Sequence, residues 1–335
     1  MNRMRRREAE RVHDNFSLAL SYLGYEAAYE AFGLFASVNL TALEQTTGRY
    51  LDAMKSLTLA QRDIARRLAI AYYRLMRALF TGQTFTAPGE RSEATTLGDL
   101  RQEFMDTARE ALPDQRLRPT RQTRGLFRRA GLGADIQDLD TDENDLVVES
   151  EDFDWPSDLT EDGAESTTET RLKGILDELA KRRKDREDKA KAAYEAAAVK
   201  QAGIIQQNTM NAGRSTVHLA IQNDSSAIGY VRASKTGDPC YFCAMLISRG
   251  IYYKTERGAL RRSSDGEKYH DNCNCTAYPV YSRSQYDTDP RFALNKELDA
   301  LWREHIRGRF SGNEARNEWR KVIREWKTSR RIAAA

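Results

Sequence analysis

All four cysteines of this 335-residue chain fall between positions 240 and 275. Cys240 and Cys243 form a C-x-x-C pair, and after twenty-six intervening residues His270, Cys273 and Cys275 form an H-x-x-C-x-C cluster. Five soft or borderline metal ligands in thirty-six positions constrain the fold more than any other feature of the sequence. A structural Zn²⁺ takes four ligands in a tetrahedron, and a C-x-x-C turn brings two thiolates to one ion while backbone N–H groups bond the sulfurs. The second pair is His270 with Cys273, His270 with Cys275, or Cys273 with Cys275, which leaves one of the five as an outlying group or spare thiol. The competing readings are reduced core cysteines or two disulfides. No eighteen-residue apolar run is present, and the basic start MNRMRRREAERVHDNF runs into acidic and polar residues rather than an apolar signal core. Synthesis in a reducing cytoplasm is therefore expected, which favours metal over disulfides. Zinc would replace what a small loop-rich segment cannot obtain from its own core.

The rest of the chain reads as helix and charge. With 40% hydrophobic residues it can bury a core, whereas 31% charged residues and a mean hydropathy of −0.71 require long solvated faces. Net charge is only +3, so its distribution matters more than its total. A helix is expected over 16–38, with an aromatic stripe at Tyr22, Tyr25, Tyr29 and Phe32 as packing surface. A stronger one is expected over about 58–80, opened by a Thr58/Gln61 capping box, faced by Ile64, Leu68, Ala71, Leu75 and Leu79, and stopped by Gly82 and Pro88. A short amphipathic helix follows over about 97–112. Six arginines then lie in 116–129, read as a solvated connector in preference to a phosphate contact because aromatics that stack on bases are nearly absent. Residues 131–170 hold fifteen Asp or Glu and no Lys or Arg, a self-repelling block expected to be a flexible linker or acidic interaction loop. Helix returns over about 168–223, with Leu172, Ile175, Leu176 and Leu179 on one face, and Gly203 and Gly213 suggest a break. Asp289-Pro290 opens a last helical region containing Trp302, Trp319 and Trp326. Residues 291–335 carry twelve Lys or Arg against six acids, an excess that an exposed helix face or a nucleic-acid contact would explain.

Two zinc-enzyme readings are set aside on the residues. Pro239 to Cys243 fits the P-C-x-x-C of zinc deaminases, but upstream His218 is followed by Leu219 and Ala220, so the H-x-E carboxylate is missing. A histidine-and-zinc nuclease would use His270 with Asn272 and Asn274, yet His270 would have to serve both the structural and the catalytic site.

The run Gly229-Tyr230-Val231-Arg232, then Gly237-Asp238-Pro239-Cys240, Cys243-Ala244-Met245-Leu246, Ser248-Arg249-Gly250 and Tyr253, closed by His270-Asp271-Asn272-Cys273-Asn274-Cys275, resembles the MuF-like minor capsid or head-morphogenesis proteins of tailed bacteriophages, in the version found in phages of actinobacteria. Upstream, Leu68-Ala69-Ile70-Ala71-Tyr72-Tyr73-Arg74 is similar to their less distinctive N-terminal half. The resemblance implies a low-copy virion component inside the head near the portal, needed for head assembly or DNA passage, with the cysteines and His270 as a structural metal cluster. Some members of the group are labelled capsid maturation proteases. Ser248 and His270 would be nucleophile and base in that reading, but four histidines yield no assembled Ser-His-Asp arrangement.

The expected architecture is mostly α: an elongated helical N-terminal region and long helices, with a small zinc-supported α+β module near the C-terminus. Its parts are a helical region 1–112, a basic-then-acidic linker 113–170, a long helical segment 171–223, the Cys/His module 224–288 and a basic helix and tail 289–335. Cys240, Cys243, His270, Cys273 and Cys275 are the metal candidates and zinc the cofactor. The expected function is a non-enzymatic head protein, made in the host cytoplasm and carried inside the virion. Its partners would be the portal protein or inner capsid surface, and packaged double-stranded DNA through the basic C-terminal region, with no membrane contact. The alternatives are a capsid maturation protease or a zinc-dependent nucleic-acid enzyme.

Overall fold

The computed structural model describes residues 3–39, 42–86, 96–112, 165–234, 237–253 and 275–334, with backbone alone for 3, 165–172, 333 and 334. It is mostly helical. In chain order the elements are α1 (Arg3–Phe35), α2 (Leu43–Thr81), α3 (Leu97–Glu110), α4 (Glu165–Asn223), β1 (Gly229–Ala233), α5 (Tyr241–Ile247), β2 (Tyr252–Tyr253), β3 (Thr276–Val280), α6 (Arg283–Thr288), a 3₁₀ turn (Pro290–Phe292), α7 (Ala293–His305) and α8 (Gly312–Ala334). Two compact units result, one of residues 1–136 with 200–335 and one of 137–199. The basic and acidic stretches over 113–164, and with them Pro88, His270 and Cys273, lie outside the described residues.

In the first unit, α1 and α2 pack along their length and α3 lies on α2. The face expected for α2 is the one it buries: Leu68, Ala71, Leu75 and Leu79 are core and Ile64 is packed against them. Gly82 ends the helix in the left-handed region at φ +75°, its N–H donating to the Ala78 carbonyl at 2.9 Å. The start of α2 differs from expectation. It begins at Leu43, and Thr58 is interior, its hydroxyl donating to the Met54 carbonyl at 2.7 Å. The preceding residues are good helix formers, so a threonine with a carbonyl four positions back has no reason to stop the chain. The capping box sits instead at Thr96 and Asp99 of α3, where both reciprocal bonds form.

The aromatic stripe of α1 packs only in part, Phe32 against Ala28 and Ala202, and flanks the main seam. The buried seam is Phe16, Leu20, Leu23, Ala27 and Ala31, whereas Tyr22 is exposed and Tyr25, Tyr29 and Phe32 are half-buried. Nor does α4 break. It runs through Gly203, and at Gly213 it lies close against its neighbours: a Cβ there would meet Leu20 Cδ1 at 2.8 Å and the Ala65 carbonyl oxygen at 3.2 Å. Glycine here admits two neighbouring helices rather than ending its own. In the second unit, Ile175, Leu176 and Leu179 of α4 are solvent-exposed.

The three strands form one antiparallel sheet in the order β2-β1-β3, with Tyr230 opposite Tyr252 and Val231 opposite Tyr278. Pro279 is tolerated because β3 is an edge among the described strands. Alternation gives the sheet two jobs. Thr276 and Tyr278 face α1 and α2, where Thr276 meets Ser17 at 3.0 Å and Tyr278 packs on His13 at 4.7 Å. Tyr230 and Arg232 face the other way, towards His218 of α4 and Cys243 of α5. The α5 side is then closed by α7 and α8 through Leu298, Trp319 and Ile323.

Candidate metal centre

The C-x-x-C pair is placed by the start of α5. Cys240 is its N-cap in extended backbone, and its sulfur accepts the Cys243 N–H at 3.3 Å. That N–H···S bond is the knuckle geometry expected of a metal-binding pair. Cys243 is buried in the first turn, and Arg232 of β1, with 0% exposure, directs a guanidinium nitrogen to its sulfur at 3.8 Å. The amide N–H and the guanidinium each place a donor against one of the two sulfurs. Cys275, immediately before β3, is buried in the same cluster as Cys243, with Cys240 packed against it. Its carbonyl accepts from Nε of the buried Arg214 at 3.0 Å. No disulfide joins any two of the three described cysteines. Among the described residues no group of three or more His, Cys, Asp or Glu side chains forms a metal-holding set.

Two buried arginines make this interior electropositive. His218, stacked edge-on to Tyr230 at 4.3 Å, has its pKa lowered to about 3, chiefly by burial and then by Arg232 and Arg214. Asn295 of α7 fixes the geometry by donating to the carbonyls of Arg232 and Ile247 at 3.1 and 3.2 Å. Trp319 of α8 does the same for α5, donating from Nε1 to the Tyr241 carbonyl at 3.0 Å. Lys327 reaches Asp238 of the Gly-Asp-Pro-Cys turn at 3.0 Å. Gly250 supplies the left-handed turn, φ +67°, that sends the chain from α5 into β2.

Arg214, Arg232 and Asn295 were not singled out as site residues by sequence reasoning. Only the oddity of one basic residue between Val231 and Ala233 in an apolar strand hinted at Arg232. Ser248, the nominated nucleophile, is 2% exposed, and its hydroxyl donates to the Met245 carbonyl at 2.8 Å as the last turn of α5 closes. The basic surplus of 291–335 is partly met by acids elsewhere in the chain, Arg291 pairing with Asp14 and Lys327 with Asp238, whereas Arg303 and Lys321 pair on the surface with Asp299 and Glu318 of the same stretch.

Comparison with known proteins bears on the same segment. A family model described as VG15 protein matches residues 150–326, just over half of the chain, from the acidic block through the cysteine module to α8. The chain belongs to the VG15 protein family. This is a phage-associated viral family. No curated protein and no solved structure matches the chain. No described helix of this VG15 family member is long and apolar enough to cross a membrane.

Proposed function

We propose that this VG15 family member is a MuF-like minor capsid protein of a tailed phage, acting inside the head near the portal in assembly and DNA passage, with zinc holding its cysteine module together. The observation that carries the reading is the knuckle at Cys240 and Cys243, with Cys275 in the same buried cluster, in a segment covered by a phage-associated family match. Cys240, Cys243 and Cys275 would supply thiolates, and His270 or Cys273 the remaining ligand. The ion's chemistry would be structural, binding a loop to a small sheet. Arg232 and the Cys243 amide hold the sulfurs in place.

Elemental analysis of the purified chain should give about one zinc, and Cys240→Ser should abolish it. A metal-free protein with wild-type stability would end the zinc assignment. For the location, antibody or density labelling of intact virions should find the chain inside the head at the portal vertex, and its absence from virions would overturn the capsid role. The buried, hydrogen-bonded Ser248 favours this reading over the protease alternative. Contact with packaged DNA would fall to exposed Arg307, Arg309 and Arg324. Retention on duplex DNA should then fall with salt and weaken when all three are changed to Gln.

A further inference from the structure

A cavity of about 170 Å³ opens between α5 and α8 on the outer side of the cysteine module. Phe242, Met245, Leu246 and Trp319 wall it, and Arg249, Arg316 and Arg320 also line it, and none of the described residues lining it is acidic. Its cationic side is held in place. The Arg320 guanidinium sits 4.4 Å over the Tyr241 ring and donates to the Tyr241 hydroxyl at 2.7 Å, while Trp319 is fully buried and tied to the Tyr241 carbonyl. Arg316 is exposed on α8 and half-buried Arg249 stands in the turn just after α5.

Size decides the class of ligand. Pockets that enclose cofactors and drug-sized molecules run to about 300–1,000 Å³. This one is below that range, suited to a single apolar side chain. Three guanidiniums around an apolar floor match carboxylates beside that side chain, since guanidinium and carboxylate pair in a planar, two-pronged geometry. Duplex DNA fits poorly, because it presents phosphates in rows while its apolar base faces stay stacked.

We infer that this cavity is a docking site for an acidic peptide segment of a partner protein, in which one aromatic side chain fills the Phe242/Met245/Trp319 floor and flanking Asp or Glu residues pair with Arg249, Arg316 and Arg320. The inference stands on the cavity alone and holds whether or not the module carries zinc.

The test is fluorescence anisotropy with the full-length chain and a labelled synthetic peptide bearing one Trp flanked on both sides by Asp and Glu. Binding should be saturable and should weaken roughly tenfold in Arg316→Glu, whose exposed site leaves the fold intact. Met245→Gln should weaken it as well, and the same peptide with Ser for Trp should bind far more weakly. Thermal melting of each variant confirms that it is folded, and Arg316→Gln stands in should the charge reversal fail to fold. Equal binding by wild type and both folded variants overturns the site. Equal binding of the Trp and Ser peptides, or displacement of the peptide by duplex DNA at lower concentration than by unlabelled peptide, makes it a general anion surface and overturns the peptide assignment.

Discussion

Asp224, 2% exposed just after α4, accepts from Arg77 Nε and from the Tyr73 hydroxyl, both at 2.9 Å. Arg77 also donates to Ser226 and to the Thr84 carbonyl. A buried pair of this kind contributes little net stability compared with apolar packing, but removing one partner strands a charge in the interior. Asp224→Ala should therefore cost about 3–5 kcal/mol in urea unfolding. The joint replacement Arg77→Met with Asp224→Leu should cost less than the single change. A single-variant cost below about 1 kcal/mol would mean that water reaches Arg77. None of this was legible beforehand. An Arg in an apolar helix and an Asp at a helix end both read as solvent-facing, and only the distant pairing makes them interior residues. Arg232 escaped notice for the same reason, and so did His13, whose ring bonds Tyr72 at 2.8 Å and Thr276 at 3.3 Å.

At the scale of elements, α4 offers two glycines with opposite expected behaviour. Gly174 has nothing within 4 Å of an added Cβ, so Gly174→Ala should stabilise the helix by about 0.5–1 kcal/mol through propensity. Gly213→Ala gains the same propensity but pushes against Leu20 and the Ala65 carbonyl, and the backbone oxygen cannot yield. A net loss of about 1–3 kcal/mol is expected. Thermal melting of the two variants separates these effects, and a stabilising Gly213→Ala would mean that α1 and α4 slide apart freely. The same contrast explains what periodicity conveyed. The α2 face was readable because Leu68, Ala71, Leu75 and Leu79 follow the helical repeat. The start of α2 and the continuity of α4 were not, because a Thr-x-x-Gln and an internal glycine signal helix ends only when no tertiary contact claims them. The bond from the Cys243 N–H to the Cys240 sulfur was readable from spacing alone, whereas the arginines behind it depend on which strand face meets which helix.

Across the whole molecule, two buried histidines tie stability to pH. His13, reaching from α1 to Tyr72 of α2 and Tyr278 of the sheet, has its pKa lowered to about 3 by burial and by Arg291, and His218 is lowered to about 3 as well. A folded-state pKa below the unfolded value of about 6.5 means that the unfolded chain takes up protons first as pH falls. Stability is thus full above pH 6.5 and is lost below it, by up to about 1.4 kcal/mol per pH unit for each histidine until about pH 3. Glu26 and Glu30, raised chiefly by burial, oppose this at the acid end by taking protons earlier when folded. Urea midpoints should fall from pH 7 to pH 5, and His13→Gln should flatten that slope. An unchanged slope in this variant would place the sensitivity elsewhere.

The wall that Trp319 and Ile323 place over Cys243 and Cys275 also imposes an order in time. Trp319 lies 44 positions beyond Cys275, and at a synthesis rate of about 5–20 residues per second that separation lasts about 2–9 seconds. Throughout that interval the nascent chain holds its sulfurs with one side uncovered. If the module holds zinc as proposed, the ion would enter then without any later opening of the fold, and α8 would afterwards be the barrier to its escape. Exchange of a bound ion in the mature protein should accordingly be governed by how often α8 lifts, a slower event than side-chain motion.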